Sequence, residues 1–174
     1  MGNESAVIIP ISEVEPIVAS LRLQYDRSAS LGVPAHITLL YPFRPPQVIL
    51  GEIKILRDIC MSIEAFPFSF TEARRFPATA YLHPDKSGQF AQITKTLAKM
   101  WPDYQPYNGT FSDVVPHLTV ADEVNVETLA TVESFLRRHL PIKCFAGEIW
   151  LMTSDYEGMW SKSAVFPLAS HERA

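Results

Sequence analysis

Apolar positions along this chain switch between two periods. Residues 5–11 (SAVIIPI) are almost continuously apolar, which suits a buried strand, and Ser12 with Glu15 three positions on reads as a capping box opening a helix to about Leu23. After a polar loop containing Gly32 and Pro34, residues 36–43 (HITLLYPF) are β-branched and apolar and predict a second strand, stopped by Arg44-Pro45-Pro46. Ile53, Leu56, Ile59, Cys60 and Ile63 recur at helical spacing, so residues 50–63 predict an amphipathic helix. Phe66, Phe68 and Phe70 alternate within residues 66–76, which is the period of a strand.

The second half repeats the scheme. A short strand near residues 79–82 precedes a helix over 87–101 with an apolar stripe of Phe90, Ile93, Leu97, Met100 and Trp101, ended by Pro102. A polar, aromatic loop over 103–116 delivers a strand at 117–121 (HLTVA). Asn125 is a good N-cap, Leu129, Val132 and Leu136 form the apolar face of the next helix, and Pro141 terminates it. Residues 142–153 and 162–168 predict two closing strands. Each half therefore runs strand, helix, strand beginning with His, helix, strand. The pattern predicts an α+β fold of two pseudo-duplicated βαβ-like lobes, with antiparallel-rich sheets facing a central groove. Lobes of about 80 residues are small for independent stability, so residues 1–174 are expected to form a single bilobed domain.

Composition narrows the function classes. With 174 residues, 47% of them hydrophobic and 20% charged, the chain can bury a core and is unlike disordered or low-complexity sequence. A net charge of -4 argues against a domain that grips long nucleic acid by neutralising phosphates, while leaving room for one small anion. Two cysteines, Cys60 and Cys144, are too few for a disulfide framework and match no metal-ligand spacing, so both are expected as core thiols in a reducing cytoplasm. The first residues lack the basic and apolar regions of a secretory signal, and Ala6 stands where a myristoylation site needs Ser or Thr. No stretch approaches the roughly 20 apolar residues of a membrane span.

The chemistry concentrates in one repeated motif. His36-Ile37-Thr38-Leu39 recurs as His117-Leu118-Thr119-Val120, 81 positions further along (36 to 117). On a strand, side chains two apart share a face at about 6.6 Å, so each motif sets one imidazole beside one hydroxyl while its two aliphatic residues anchor the opposite face. Two such platforms would surround a small site with two imidazoles and two hydroxyls. An imidazole titrates near neutrality, so one ring of a pair accepts a proton while the other donates one. In-line displacement at phosphorus requires this exchange, and hydroxyl donors stabilise the non-bridging oxygens. No metal is needed, and the chain holds no HExxH, His/Cys cluster or two-metal carboxylate set.

The paired motifs, with the fuller HITLLYPF around the first, resemble those of the 2H phosphoesterase superfamily, specifically the bacterial 2'-5' RNA ligase family. The resemblance spans nearly the whole chain in motif order, spacing and duplicated pattern. It implies metal-independent phosphodiesterase action, without a cofactor, on 2',3'-cyclic phosphates or 2'-5' bonds of nucleotides or RNA ends. Carried over position by position, His36 and His117 would be the catalytic proton-transfer pair and Thr38 and Thr119 the phosphate holders. His117 is expected as the base and His36 as the acid, an assignment that the pseudo-symmetry makes reversible. Some RNA-processing members carry a basic residue just after the second motif. Ala121-Asp122-Glu123 stand there in this chain, which favours a small cyclic nucleotide or a short RNA end.

Other residues carry weaker expectations. Tyr41 could meet a base at the groove, although packing is the default for it and for Phe43. Trp150, Tyr156 and Trp160 could line the groove, with hairpin packing the default for them, and Arg44, Arg74, Arg75 and Lys86 could supply charge to a phosphate, with solvated surface the default. His83, His139 and His171 lack a Thr partner and receive no chemistry; Ser112-Asp113 and Ser154-Asp155 read as turns. The second reading is a binding module that holds a nucleotide or RNA end in the same groove without cleaving it. The expected state is a cytoplasmic monomer with a small nucleotide or RNA-end substrate, no long nucleic acid and no membrane.

Overall fold

In a computed structural model, residues 3–110 and 113–170 are described; the expectations at Met1-Gly2, Ser112 and His171 lie outside them. Among the described residues, eight strands form two antiparallel four-stranded sheets. The first has the order β2-β1-β7-β8 and the second β5-β4-β3-β6. The strands are β1 (Ser5–Pro10), β2 (His36–Leu40), β3 (Phe66–Arg75), β4 (Ala80–Pro84), β5 (Leu118–Ala121), β6 (Ile142–Ala146), β7 (Glu148–Ser154) and β8 (Trp160–Pro167). The helices are α1 (Glu15–Tyr25), α2 (Arg27–Ser30), α3 (Ile53–Met61), α4 (Ser87–Met100) and α5 (Val126–Arg137). The α+β class with two antiparallel-rich sheets is as the sequence pattern predicts.

The sheets do not follow the two halves of the chain. β3 closes the first half in sequence but lies in the second sheet, paired with β4 and β6 (Phe68 opposite Cys144). The predicted strand 142–153 breaks at Gly147, where the chain crosses back, and β7 pairs with β1 and β8 in the first sheet. The first sheet thus takes β7 and β8 from the second half and the second sheet takes β3 from the first, and one hydrophobic cluster runs from Val7 and Leu39 through Phe70 and Leu82 to Leu151 and Phe166. The alternating Phe66, Phe68 and Phe70 all point into it; Phe66 and Phe68 pack on Phe90 of α4 with ring centroids 5.2 and 5.0 Å away, and Phe70 packs on Phe68 at 5.3 Å.

Local signals hold in part. Asn125 caps α5 as predicted, its side chain accepting from Thr128 N–H. The capping box at Ser12 does not form: Ser12–Val14 is a 3-10 turn, α1 starts at Glu15 with Pro16 in its first turn, and Glu15 instead accepts the Ala35 N–H at 2.6 Å. A carboxylate within reach of a buried, otherwise unpaired N–H just ahead of a strand stabilises more there than in its own helix cap. The helix also continues to Tyr25, and Asp26 then caps a second short helix, α2, that the loop composition did not reveal. β2 ends at Leu40 rather than Phe43, because Pro42 has no N–H to donate to a ladder.

Gly32 has a specific task. Its φ of +96° lies in the left-handed region, and a Cβ there would stand 2.7 Å from the Trp160 carbonyl oxygen. The loop before β2 therefore lies directly against the start of β8, with Trp160 N–H donating to the Leu31 carbonyl. Both cysteines are free and buried, as expected, and burial pushes both thiols up to about 12. No helix among the described residues is long and apolar enough to cross a membrane.

Candidate active site

The two motif strands occupy the edges of their sheets and face one another across a groove of about 730 Å³. Each motif alternates as the strand period demands. Ile37, Leu39, Leu118 and Val120 are fully buried in the core, while His36, Thr38, His117 and Thr119 line the groove. All four side chains selected from the sequence therefore meet in one cavity. His117 stands one residue ahead of β5, so the strand itself begins at Leu118.

The two imidazoles are held in the same way. His36 Nδ1 lies 2.7 Å from the Pro34 carbonyl, and His117 Nδ1 lies 2.7 Å from the Val115 carbonyl. A carbonyl only accepts, so both rings carry their proton on Nδ1 when neutral and present the Nε2 lone pair to the groove. The Thr38 hydroxyl, 3.1 Å from His36 Nε2, donates to it. Thr38 also shares a hydrogen bond with the phenol of Tyr107, which burial keeps protonated.

Electrostatics separate the rings. Desolvation lowers the His36 pKa from 6.5 to about 4, aided by the Arg22 and His117 charges and opposed by the Pro34 hydrogen bond and by Asp26. His117 is also lowered, chiefly by desolvation, but the Val115 hydrogen bond and the nearby Asp122 hold part of its proton affinity. Both are neutral at pH 7, and His36 is the more depressed.

The groove walls are aromatic and acidic. Phe76 meets the edge of the His117 ring at a centroid distance of 5.3 Å and stacks on Tyr81 at 4.4 Å. On the other side Tyr41 packs edge-on to Trp160 at 6.1 Å, with its hydroxyl 3.2 Å from Glu4. Asp26, Asp113 and Asp122 also line the cavity, and no Lys or Arg does among the described residues. Among the described residues, no group of three or more His, Cys, Asp and Glu side chains is placed to hold a metal ion.

The family model of the 2'-5' RNA ligase superfamily matches residues 10–157. The chain belongs to that superfamily. Solved structures share its fold over nearly the whole length. Apo LigT of E. coli superposes with a TM-score of 0.61 at 15% identity, covering 97% of this chain and 98% of that one. LigT complexed with 3'-AMP gives 0.58 at 14%, covering 97% and 99%. TT0787 of Thermus thermophilus gives 0.59 at 14%, covering 97% and 100%. No curated protein matches the sequence. Membership in the 2'-5' RNA ligase superfamily makes this a chain of 2H phosphoesterase type, as the paired motifs suggested.

Several groove residues escaped the sequence. Trp160, for which hairpin packing is the default expectation, lines the groove because Gly32 and Leu31 hold its backbone at the cavity edge; Tyr156 is exposed, and Trp150 lies on the same sheet face, in the cluster with Ala6, Ile8 and Met152 and covered by Lys162, without lining the groove itself. Tyr107 enters from the loop over 103–116 with φ of 51°, a conformation that no periodicity announces. Phe76 sits just past β3, where alternation stops. Tyr41 does reach the groove. Arg44, Arg74 and Arg75 form pairs with Glu52, Glu72 and Glu133 away from it.

Proposed function

We propose that this protein is a metal-independent phosphodiesterase that opens 2',3'-cyclic phosphates, or cleaves 2'-5' phosphodiester bonds, of small nucleotides or short RNA ends. Residues 1–174 act as one catalytic unit in this reading. The single observation that carries it is the convergence of two Nε2 atoms and two Thr hydroxyls on one groove, with both rings oriented by backbone carbonyls.

One imidazole removes a proton from water as its oxygen attacks phosphorus. The bond from phosphorus to the 2' oxygen breaks, and the second imidazole, protonated, gives its proton to that oxygen. Thr38 and Thr119 donate to the non-bridging oxygens as charge builds there. A bound phosphate anion raises the proton affinity of the imidazole nearest its leaving oxygen, so a ring that is neutral in the free protein becomes the acid in the complex. Both rings are neutral in the free protein, so either can start as the base; the expected assignment, His117 as base and His36 as acid, is kept, with the bound anion supplying the proton affinity that the buried His36 lacks on its own. Aromatic walls of Tyr41, Phe76, Trp160 and Tyr107 suit one base, and relatives solved with 3'-AMP, ATP and NADP+ agree with a nucleotide-sized occupant.

The test is incubation with 2',3'-cyclic AMP in excess chelator, with the 2' and 3' monophosphates resolved. Turnover that persists in chelator and disappears in both His36→Ala and His117→Ala supports the reading. Binding without turnover would leave a nucleotide-binding module instead.

A further inference from the structure

The proposed acid–base pair accounts for the groove but leaves unexplained a charged network behind it. Arg22, on the last turn of α1, is only 2% exposed. Its guanidinium donates from Nε and Nη2 to Asp26 Oδ2 at 3.0 and 2.9 Å. It donates from Nη1 and Nη2 to the Val33 carbonyl, both at 3.2 Å, and from Nη2 to Ser28 Oγ at 3.1 Å. Glu15, one helical face back, accepts the Ala35 N–H at 2.6 Å and lies 4.0 Å from Arg22 Nη1. Ala35's carbonyl in turn accepts from Ile11 N–H at 2.8 Å.

The contacts to Val33 and Ala35 land on the residues flanking Pro34. Pro34 has no N–H and cannot be tied down through its own amide. Its carbonyl is the acceptor for His36 Nδ1. A buried ion pair recovers little net stability after its desolvation cost, whereas a role in fixing one geometry is a recognised use for it. We infer that Arg22, Asp26 and Glu15 form a clamp that fixes the Val33–Ala35 backbone, so that the Pro34 carbonyl holds the His36 ring in its Nδ1–H tautomer with Nε2 aimed at the groove. They are positioning residues, acting on the reaction through His36. This inference deepens the proposed function and rests on it for its kinetic consequence, but not for its structural one.

The charged and titratable groups that face His36 are Arg22 and Asp26 from the α1 side, His117 across the groove, and Tyr41, Tyr107, Asp113 and Asp122 around the cavity. Arg22 and Asp26 act in opposite directions on the ring, so loss of the clamp acts mainly through geometry.

Glu15→Ala tests the clamp, because Glu15 is partly exposed and its removal leaves the Arg22–Asp26 pair intact. Glu15→Gln is the conservative partner, since its amide oxygen still accepts the Ala35 N–H. The first readout is 15N NMR of the His36 ring near neutral pH. Wild type and Glu15→Gln are expected to show a single Nδ1–H tautomer, and Glu15→Ala a mixture of the two. The second is 2',3'-cyclic AMP hydrolysis, where Glu15→Ala should lose about ten- to a hundredfold in kcat with KM little changed, rescued in Glu15→Gln. A wild-type His36 spectrum in folded Glu15→Ala overturns the clamp whatever the activity. A tautomer mixture in a protein that hydrolyses no cyclic nucleotide upholds the clamp and defeats the proposed function instead.

Discussion

Acidification should destabilise this protein in large part through His36. The unfolded chain takes up a proton on this ring near 6.5, whereas the folded ring does so only at about 4. Between those values the unfolded state binds more protons, so stability falls as the pH drops from 6.5 to 4 and the loss levels off below that. The full interval corresponds to about 3 kcal/mol. His36 is only half-buried in an open groove, so solvent screening reduces the expected effect to about 1–2 kcal/mol. His36→Asn keeps a donor for the Pro34 carbonyl and removes the titration. Urea unfolding of both proteins at about pH 7 and about pH 4.5 gives two stability losses. Contributions of His117, His83 and the carboxylates are common to both and cancel in the difference. The wild type should lose the more, by about 1–2 kcal/mol. Equal losses would refute the assignment of a desolvated, neutral imidazole at this position.

Other outcomes follow from the same geometry. Thr38→Val or Thr119→Val should lower kcat for 2',3'-cyclic AMP by about 10²-fold, by removing a donor to the developing charge, and steady-state kinetics that leave kcat intact would count against phosphate contact. Gly32→Ala should cost about 1–3 kcal/mol in urea unfolding, from the positive φ and the close approach to the Trp160 carbonyl together, with changed fluorescence from Trp160. A cyclic nucleotide that also carries a 5' phosphate should show a kcat/KM at least about tenfold below its unphosphorylated counterpart, and Asp113→Asn with Asp122→Asn should narrow that gap.

Much of the site was legible because both motifs lie on strands. Period-two alternation forces His and Thr to one face and Ile37, Leu39, Leu118 and Val120 to the other, so a four-residue pattern specified both chemistry and orientation. The pairing of strands was less accessible. Nothing in the composition of β3 or β7 says which sheet each joins, since both are apolar strands with burial on the core face, and the sequence-adjacent assignment is the natural but incorrect one. Glu15 shows a different failure. Its spacing from Ser12 fits a cap, yet the tertiary fold brings Ala35 N–H within 2.6 Å, and the long-range partner wins. Tyr107 as a groove residue, and the choice of groove over hairpin packing at Trp160, were not legible because a loop in left-handed conformation and a backbone contact at Gly32 decide them, neither of which leaves a periodic trace.

The charge distribution around the pair explains why such a site would be selective without a cation of its own. Arg22 is the guanidinium whose charge acts on His36, but Asp26 pairs with it at 2.9 Å and its remaining donors go to Val33 and Ser28. Asp122 is bound to the Thr79 hydroxyl and Asp113 is exposed at the rim, so the groove around the motifs is net negative. Attraction for a phosphodiester in the proposed reaction must then come from short hydrogen bonds, which reach only the anionic centre they touch, and from whichever imidazole is protonated in the complex, which lies closest to that same centre. A second phosphate gains none of these donors and meets the aspartates instead. The same arrangement couples binding to protonation: an anion enters most readily with its proton, which is the proton the leaving oxygen needs.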